Sequence, residues 1–526
     1  MEAKIAYDCL ALGRLPERHA RYRPRHTAVV APAGPREVRL DWREFDAYVN
    51  RWANALAGLG VTRGDRVATA LPNSIELLAT YWACFKLGAA AVPLSTLLNA
   101  GGLASLLADA APRAIVSNGD LRAVLDEVRA GGTSADAAWV LTDANAGDAP
   151  GGYHAYSRLW MEASDAPPGV AVSADDLATI MYTSGTTGLP KGICHTHFIR
   201  SMYATTLAST WRMSPSSVVL HSGAIVFNGA MTTLLPAFMV GATYVVQRAF
   251  DAEAFIATVE RERVTHAMLV PAQIIAILNA RGFAPSRLTS LECILSLGAP
   301  LHVEYKNRLN ELLPDRFYEL YGLTEGFITV LDRDDALRKA GSVGVPPPYY
   351  ELRIVGPDGD DCPVGQVGEI VGRGPITMPG YYRNEPKTAE ALRDGWLYTG
   401  DAGYVDEEGF LYLVDRMKDM IDSGGVKVYP KDVEEVAARH PDVREVAVFG
   451  IPHDKWGETP VAAVVLKEGA DVDAVTLRDW INARVAAKYQ RVDRVMILDA
   501  FPRNAAGKTL KRELRAPFWE GKGRAI

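Results

Sequence analysis

The stretch Tyr182-Thr183-Ser184-Gly185-Thr186-Thr187-Gly188-Leu189-Pro190-Lys191-Gly192 packs four small hydroxyl residues, three glycines and one lysine into a single run. Residues 177–182 before it, Leu-Ala-Thr-Ile-Met-Tyr, read as a buried strand, and helix-like periodicity begins at His197. Glycines let neighbouring backbone N–H groups converge, hydroxyls add donors, and the lysine adds positive charge. A loop of that make-up after a strand is a receptor for phosphate oxygens. It is not a Walker A loop, which needs Gly directly before Lys and Ser or Thr after it; here Pro190 precedes Lys191 and Gly192 follows. Gly507-Lys508-Thr509 fails the same test, because Pro502 stands where the upstream glycine belongs.

Outward from this loop the chain alternates strands and helices. Upstream, strands are expected at 27–30, 66–71 and 90–94, and helices at 41–58 and 74–87. The first helix shows Phe45, Val49, Trp52, Ala53 and Leu56 on one face. Downstream, strands are expected at 218–220, 243–246, 267–270, 293–297 and 317–320, with helices at 252–262, 272–279 and 303–312 between them. This order predicts an α/β fold with doubly wound sheets in a large N-terminal domain, residues 1–415. Residues 341–414, rich in Gly and Pro with short β-prone runs, predict a β-rich subdomain within it. Residues 416–526 predict a small α+β lid domain, its first helix carrying Pro430 near the start. Ligands in such folds sit at the carboxyl ends of strands, so the loop at 182–192 and the segment after Leu320 can share one cleft.

The 526 residues need more than one core, and a net charge of −7 disfavours nucleic acid as a partner. Five scattered cysteines suggest a reducing, cytoplasmic setting, and the N-terminus shows no signal-peptide pattern. Residues 213–247 carry no Asp, Glu, Lys or Arg, yet Asn228, Pro236 and several glycines break the run, so no membrane span is expected there.

Further polar clusters join the first. In Tyr321-Gly322-Leu323-Thr324-Glu325 an aromatic can stack on a base, and a hydroxyl and carboxylate can position Mg2+. In Tyr398-Thr399-Gly400-Asp401 a carboxylate can hold ribose hydroxyls, with Arg416 downstream as a second contact. Ser423-Gly424-Gly425-Val426-Lys427 is a glycine turn with a cation, and Lys508 lies on a loop able to swing.

The order and residue types of these pieces resemble the adenylate-forming superfamily, in its acyl- and aryl-CoA synthetase branch, over nearly the whole chain. The resemblance implies a two-step reaction. A carboxylate attacks the α-phosphate of ATP to give an acyl-adenylate and pyrophosphate, and a thiol, commonly coenzyme A, then displaces AMP. It also implies that the small domain rotates about a hinge at Lys418. By the same resemblance Thr183, Ser184, Gly185, Thr186, Thr187, Gly188 and Lys191 would hold the β- and γ-phosphates. Gly298, Ala299, Pro300, Glu319, Leu320 and Tyr321 would line the adenine. Thr324 would contact the α-phosphate, Glu325 the Mg2+, and Asp401 and Arg416 the ribose. Lys508 would bridge the two reacting anions. Gly424, Gly425 and Lys427 would border the pantetheine channel, and Trp456 would contact a nucleotide or pack within its domain.

The acyl pocket is expected at Phe227, Ser296, Gly298, Gly322, Leu323, Phe327 and Ile328, mostly apolar or small. No Asp presents itself for an α-amino group, which disfavours amino-acid activation. A fatty acid is favoured because Gly322 and Leu323 leave room; an aryl acid is the alternative. One departure stands out. Many relatives carry a Phe-His pair before the acyl-site glycine, whereas Ala224-Ile225-Val226-Phe227-Asn228-Gly229 has no histidine in register, and His221 lies earlier. A carrier protein in place of free CoA, and a catalytically inactive nucleotide-binding regulator, are the competing functions; Lys191, Glu325, Asp401 and Lys508 argue against the latter. Oligomeric state, a homodimer among the options, stays open.

Overall fold

The computed structural model describes residues 8–144, 147, 149–183, 191–299, 301–416, 419–423, 426–453, 455–503 and 509–520. The strand Leu177–Thr183 pairs antiparallel with Lys191–Thr196, Thr183 standing opposite Lys191. The phosphate-type loop therefore closes a hairpin, and helix His197–Thr210 starts only after the second strand, with Thr196 as its cap. That second strand was not expected from the sequence.

The hairpin edges a seven-stranded sheet whose other pairings are all parallel: His154–Ala155, Ala138–Leu141, Ala114–Ser117, Arg66–Ala70 and Ala90–Pro93, then Leu177–Thr183. An eight-stranded sheet runs from Phe327–Leu331 through Phe317–Leu323, Cys293–Leu297, His266–Leu269, Val218–His221, Thr243–Val246 and Thr27–Ala33 to Arg36–Asp41. Its interior pairings are parallel and both outer pairings antiparallel. Parallel strands need helical crossovers, which bury both faces of each sheet. One core joins the sheets through helices Trp42–Gly58, Ile75–Leu87, His197–Thr210 and Asn228–Val240. At its centre Trp82 stacks on Phe238 at 4.3 Å and Trp42 meets Phe238 edge-on at 5.1 Å.

Local sequence explains where these helices start. Asp41 accepts from the Glu44 N–H at 2.8 Å while Glu44 accepts from the Asp41 N–H at 2.9 Å, a capping box contributing about 1 kcal/mol. The stripe Phe45, Val49, Trp52, Ala53 and Leu56 is fully buried. The uncharged run supplies Val218–His221, helix Asn228–Val240 and Thr243–Val246, and among the described residues no helix is long and apolar enough to cross a membrane.

A five-stranded sheet follows, built from Glu351–Val355, Gly368–Arg373, Leu392–Arg393, Trp396–Val405 and Leu411–Arg416. A last sheet opens at Ile421–Ser423 and includes Val426–Val428, Val443–His453, Gly457–Leu466 and Arg494–Ile497, packed by helices Pro430–Ala438, Ala474–Asn482 and Lys511–Trp519.

Candidate active site

The hairpin strand Lys191–Thr196, the turn after Phe317–Leu323 and the strap around Tyr381 converge. Tyr382 N–H donates to the Gly192 carbonyl at 2.7 Å, Cys194 N–H to that of Gly380 at 3.2 Å, and Met378 N–H to that of Glu325 at 2.8 Å. The strap thus ties the hairpin to Glu325. Its Tyr381 hydroxyl donates to Glu325 Oε1 at 2.9 Å, and Lys191 Nζ lies 4.8 Å from the same ring. Burial, then the neighbouring Glu325 charge, raises the Tyr381 phenol, so it keeps the proton it donates. One tyrosine therefore fixes both the phosphate-loop lysine and the Glu325 carboxylate. Sequence reasoning passed over it because both contacts are long-range; the only local signal was Gly380-Tyr381-Tyr382 inside a β-rich tract. Tyr381→Phe should lower the adenylation rate by about ten- to a hundredfold, the worth of a hydrogen bond to a charged group, and raise the Mg2+ concentration it needs. Pyrophosphate exchange against Mg2+ concentration checks this.

A second polar chain reaches Thr324 from below. Arg200, fully buried, donates to Thr179 Oγ1 from Nε at 2.9 Å and Nη2 at 2.8 Å, and to Asn228 Oδ1 from Nη1 at 2.8 Å. Thr179 and His195 Nδ1 are 3.5 Å apart, and His195 Nε2 is 2.8 Å from the Thr324 carbonyl. Direction follows from the ends: a guanidinium only donates and a carbonyl only accepts. The threonine proton therefore goes to Nδ1, and Nε2–H holds Thr324. Burial and the Arg200 charge push His195 well below its ordinary pKa, so it stays neutral.

Tyr321 donates to Asp401 Oδ2 at 2.8 Å, and Asp401 stands opposite Arg416 in the strand register. The base-stacking and ribose candidates are thereby neighbours, which their separation in sequence did not reveal. Gly298 takes φ +92°, and it and Ala299 are exposed at the end of Cys293–Leu297. Trp456 is 46% exposed, so it is not a packed domain aromatic. Ser184, Gly185, Thr186, Thr187, Gly188, Pro300, Lys418, Gly424, Gly425 and Lys508 lie outside the described residues, as do the side chains of Thr183, Arg416 and Lys427.

Two expectations are corrected. Glu319 cannot line the adenine with its carboxylate, which is buried against the Lys306 ammonium. Phe327 faces the β-rich core, its ring occupying the space beside Gly372, and not an acyl pocket. Gly322 is exposed, and its missing side chain lets the paired strand come close: a Cβ there would lie 2.7 Å from Ile328 Cγ2 and 2.7 Å from the Phe327 carbonyl oxygen. Leu320 is buried beneath the site, Leu323 is half-buried and Ile328 belongs to the main core. Phe227 is half-buried, and Ser296 is buried with its hydroxyl unpartnered among the described residues. His221 ends a core strand beside Tyr244, and burial pulls its pKa down to about 4, so it does not replace the missing histidine. A cavity of about 520 Å3 lined by Asp126, Arg129 and Trp139 gathers none of these groups.

Residues 16–382 match the AMP-binding enzyme family, and residues 432–508 match the AMP-binding enzyme C-terminal domain. The chain belongs to the AMP-binding enzyme family. It is an ATP-dependent acid–thiol ligase of the AMP-forming type. A feruloyl-CoA synthase from an Amycolatopsis species is 36% identical, over 96% of this chain and 99% of that protein. The long-chain-fatty-acid–CoA ligase FadD13 of Mycobacterium tuberculosis is 35% identical, over 96% and 98%. The crystal structure of ATP-bound MatB from Rhodopseudomonas palustris superimposes with a TM-score of 0.88 at 29% identity, over 98% of this chain and all of that one.

Proposed function

We propose that this AMP-binding enzyme activates a compact acid, of aryl or medium-chain size, and passes its acyl group to coenzyme A. One relative is named for an aromatic acid and another for long-chain fatty acids, so kinship leaves the acid open. The observation that carries the size is the contact over Gly229. A Cβ there would lie 3.0 Å from Leu297 Cδ1 and 3.4 Å from Met268 Cε. Leu297 and Met268 thus occupy the space beside Gly229, and overpacking a filled site is costly, which favours a short acyl group there.

A carboxylate oxygen attacks the α-phosphorus as the bond to pyrophosphate breaks. Both partners are anionic, so a Lys508 ammonium brought between them would lower their repulsion. The thiol then attacks the acyl carbon and AMP leaves. Among the described residues no three His, Cys, Asp or Glu converge to hold a metal by themselves. One carboxylate suits Mg2+, which keeps water and phosphate ligands, so Glu325 would hold the ion and the ion would neutralise phosphate charge. For the second step, Ser423 pairs with Gly457, the neighbour of exposed Trp456, and a pantetheine arm would lie along this edge.

The test is a carboxylate panel with ATP, Mg2+ and CoA, reading pyrophosphate and thioester. Phenylacetate, cinnamate and octanoate should exceed palmitate by at least about tenfold in kcat/KM; palmitate ahead of them would overturn the size. Lys418 lies between strands of two different sheets, Leu411–Arg416 and Ile421–Ser423. Because proline fixes φ, Lys418→Pro should slow thioester formation about tenfold or more while adenylation stays near normal. Unchanged thioester formation would refute the hinge.

A further inference from the structure

A buried arginine normally meets a carboxylate, because an unpaired buried charge costs several kcal/mol. Among the described residues none pairs with Arg200, whose partners are the Thr179 hydroxyl and the Asn228 amide oxygen. This fixes what Asn228 can do. Its Oδ1 must face the guanidinium, so its Nδ2 faces the other way. There Nδ2 donates to the Tyr203 hydroxyl at 3.3 Å. A second N–H of the amide remains, and Tyr203, having accepted, has its own proton left to donate. The group presents donors backed by a positive charge.

Its position is at the reacting end of the fold. Asn228 is half-buried and opens helix Asn228–Val240 at the carboxyl ends of the parallel strands, where ligands of such sheets bind. The next residue, Gly229, faces Leu297, and exposed Gly298 follows. The segment before it is pinned by Asn73, which donates to the Gly223 carbonyl at 2.6 Å and accepts from Ile225 N–H at 2.9 Å. Arg200 is also the start of the chain that ends on Thr324.

We infer that Asn228, its amide turned by Arg200, reads a hydrogen-bond-accepting oxygen on the acyl group, a second carboxylate above all. This deepens the compact-acid proposal and rests on it: the acid is one that carries a second oxygen function. Asn228 is the specificity-determining residue and Arg200 the positioning residue behind it.

The experiment compares α,ω-dicarboxylates of four to eight carbons with monocarboxylates of equal length, and cinnamate with its ring-carboxylated and ring-methoxylated counterparts. It uses the full-length enzyme with ATP, Mg2+ and CoA. The readout is the ratio of kcat/KM within each pair, which a general loss of fold does not move. Wild type should favour an oxygen-bearing member, and Asn228→Leu should cut that ratio by about a hundredfold. Asn228→Asp, which neutralises Arg200 and offers only acceptors, should invert it for dicarboxylates. A gain confined to the methoxy compound would overturn the preference for a carboxylate. A ratio equal in wild type and both variants would overturn the inference while leaving the ligase reading intact. Pyrophosphate release with no acid on the panel would overturn that reading itself.

Discussion

Lys508→Ala should abolish most adenylation, by about a thousandfold or more, while thioester formation from supplied acyl-adenylate stays within about threefold of wild type. The size follows from the charge problem. A carboxylate approaching a phosphate meets like charge, and one preorganised donor at a developing oxyanion is worth about 10²–10³ in rate. An ammonium carries full charge, so it belongs at the upper end. Asymmetry between the steps is the sharper part. In the second step the nucleophile is a thiol and the electrophile an activated acyl carbon, so no such pair of anions has to be brought together. The chain supplies a suitable mount for the lysine: Arg503 and Thr509 form an antiparallel bridge and Leu510 N–H donates to the Pro502 carbonyl at 2.8 Å, so both ends of the segment carrying Lys508 are tied. Pyrophosphate exchange measures the first step and AMP release from synthetic acyl-adenylate with CoA the second. Equal loss in both would remove the assigned role.

The fold was legible where short-range patterns decide it. The apolar stripe of Trp42–Gly58 and the run Leu177–Tyr182 say which faces are buried without reference to the rest of the chain. The hairpin strand Lys191–Thr196 was missed because its six residues lie between a loop and a helix and gain stability only by pairing with Leu177–Thr183. Among candidate site residues, motif order pointed to Thr324, Glu325 and Asp401, but not to the tyrosines hydrogen-bonded to Glu325 and Asp401. Tyr381 and Tyr321 reach Glu325 and Asp401 across 56 and 80 positions, distances over which no periodicity operates. Arg200 did leave a trace. It sits three, four and seven positions before Tyr203, Ala204 and Leu207, all buried, so it interrupts the apolar face of its own helix. A charge there signals a buried polar network, and that signal went unread.

Lys306→Met should be the most destabilising single change away from the reacting groups. Lys306 and Glu319 are 4% and 2% exposed, and the ammonium also donates to the Ala340 carbonyl at 2.9 Å. Removing one member of a buried pair costs about 3–5 kcal/mol, because the remaining charge is stranded. In a large domain this lowers the unfolding temperature on the order of 5–10 °C. The pH dependence separates this cause from a packing defect. Burial raises the Glu319 carboxyl even with Lys306 against it, and loss of the ammonium raises it further. A carboxyl with a raised folded pKa favours the folded state below its unfolded value and loses that contribution as pH climbs through the folded value. The deficit of the variant should therefore be small near pH 4.5 and grow toward neutrality. Lys306→Met with Glu319→Leu should recover most of it, since paired apolar replacements of a buried ion pair are near neutral. A deficit independent of pH, or no recovery in the double variant, would mean that the pair is not what holds the strand Phe317–Leu323 under Tyr321.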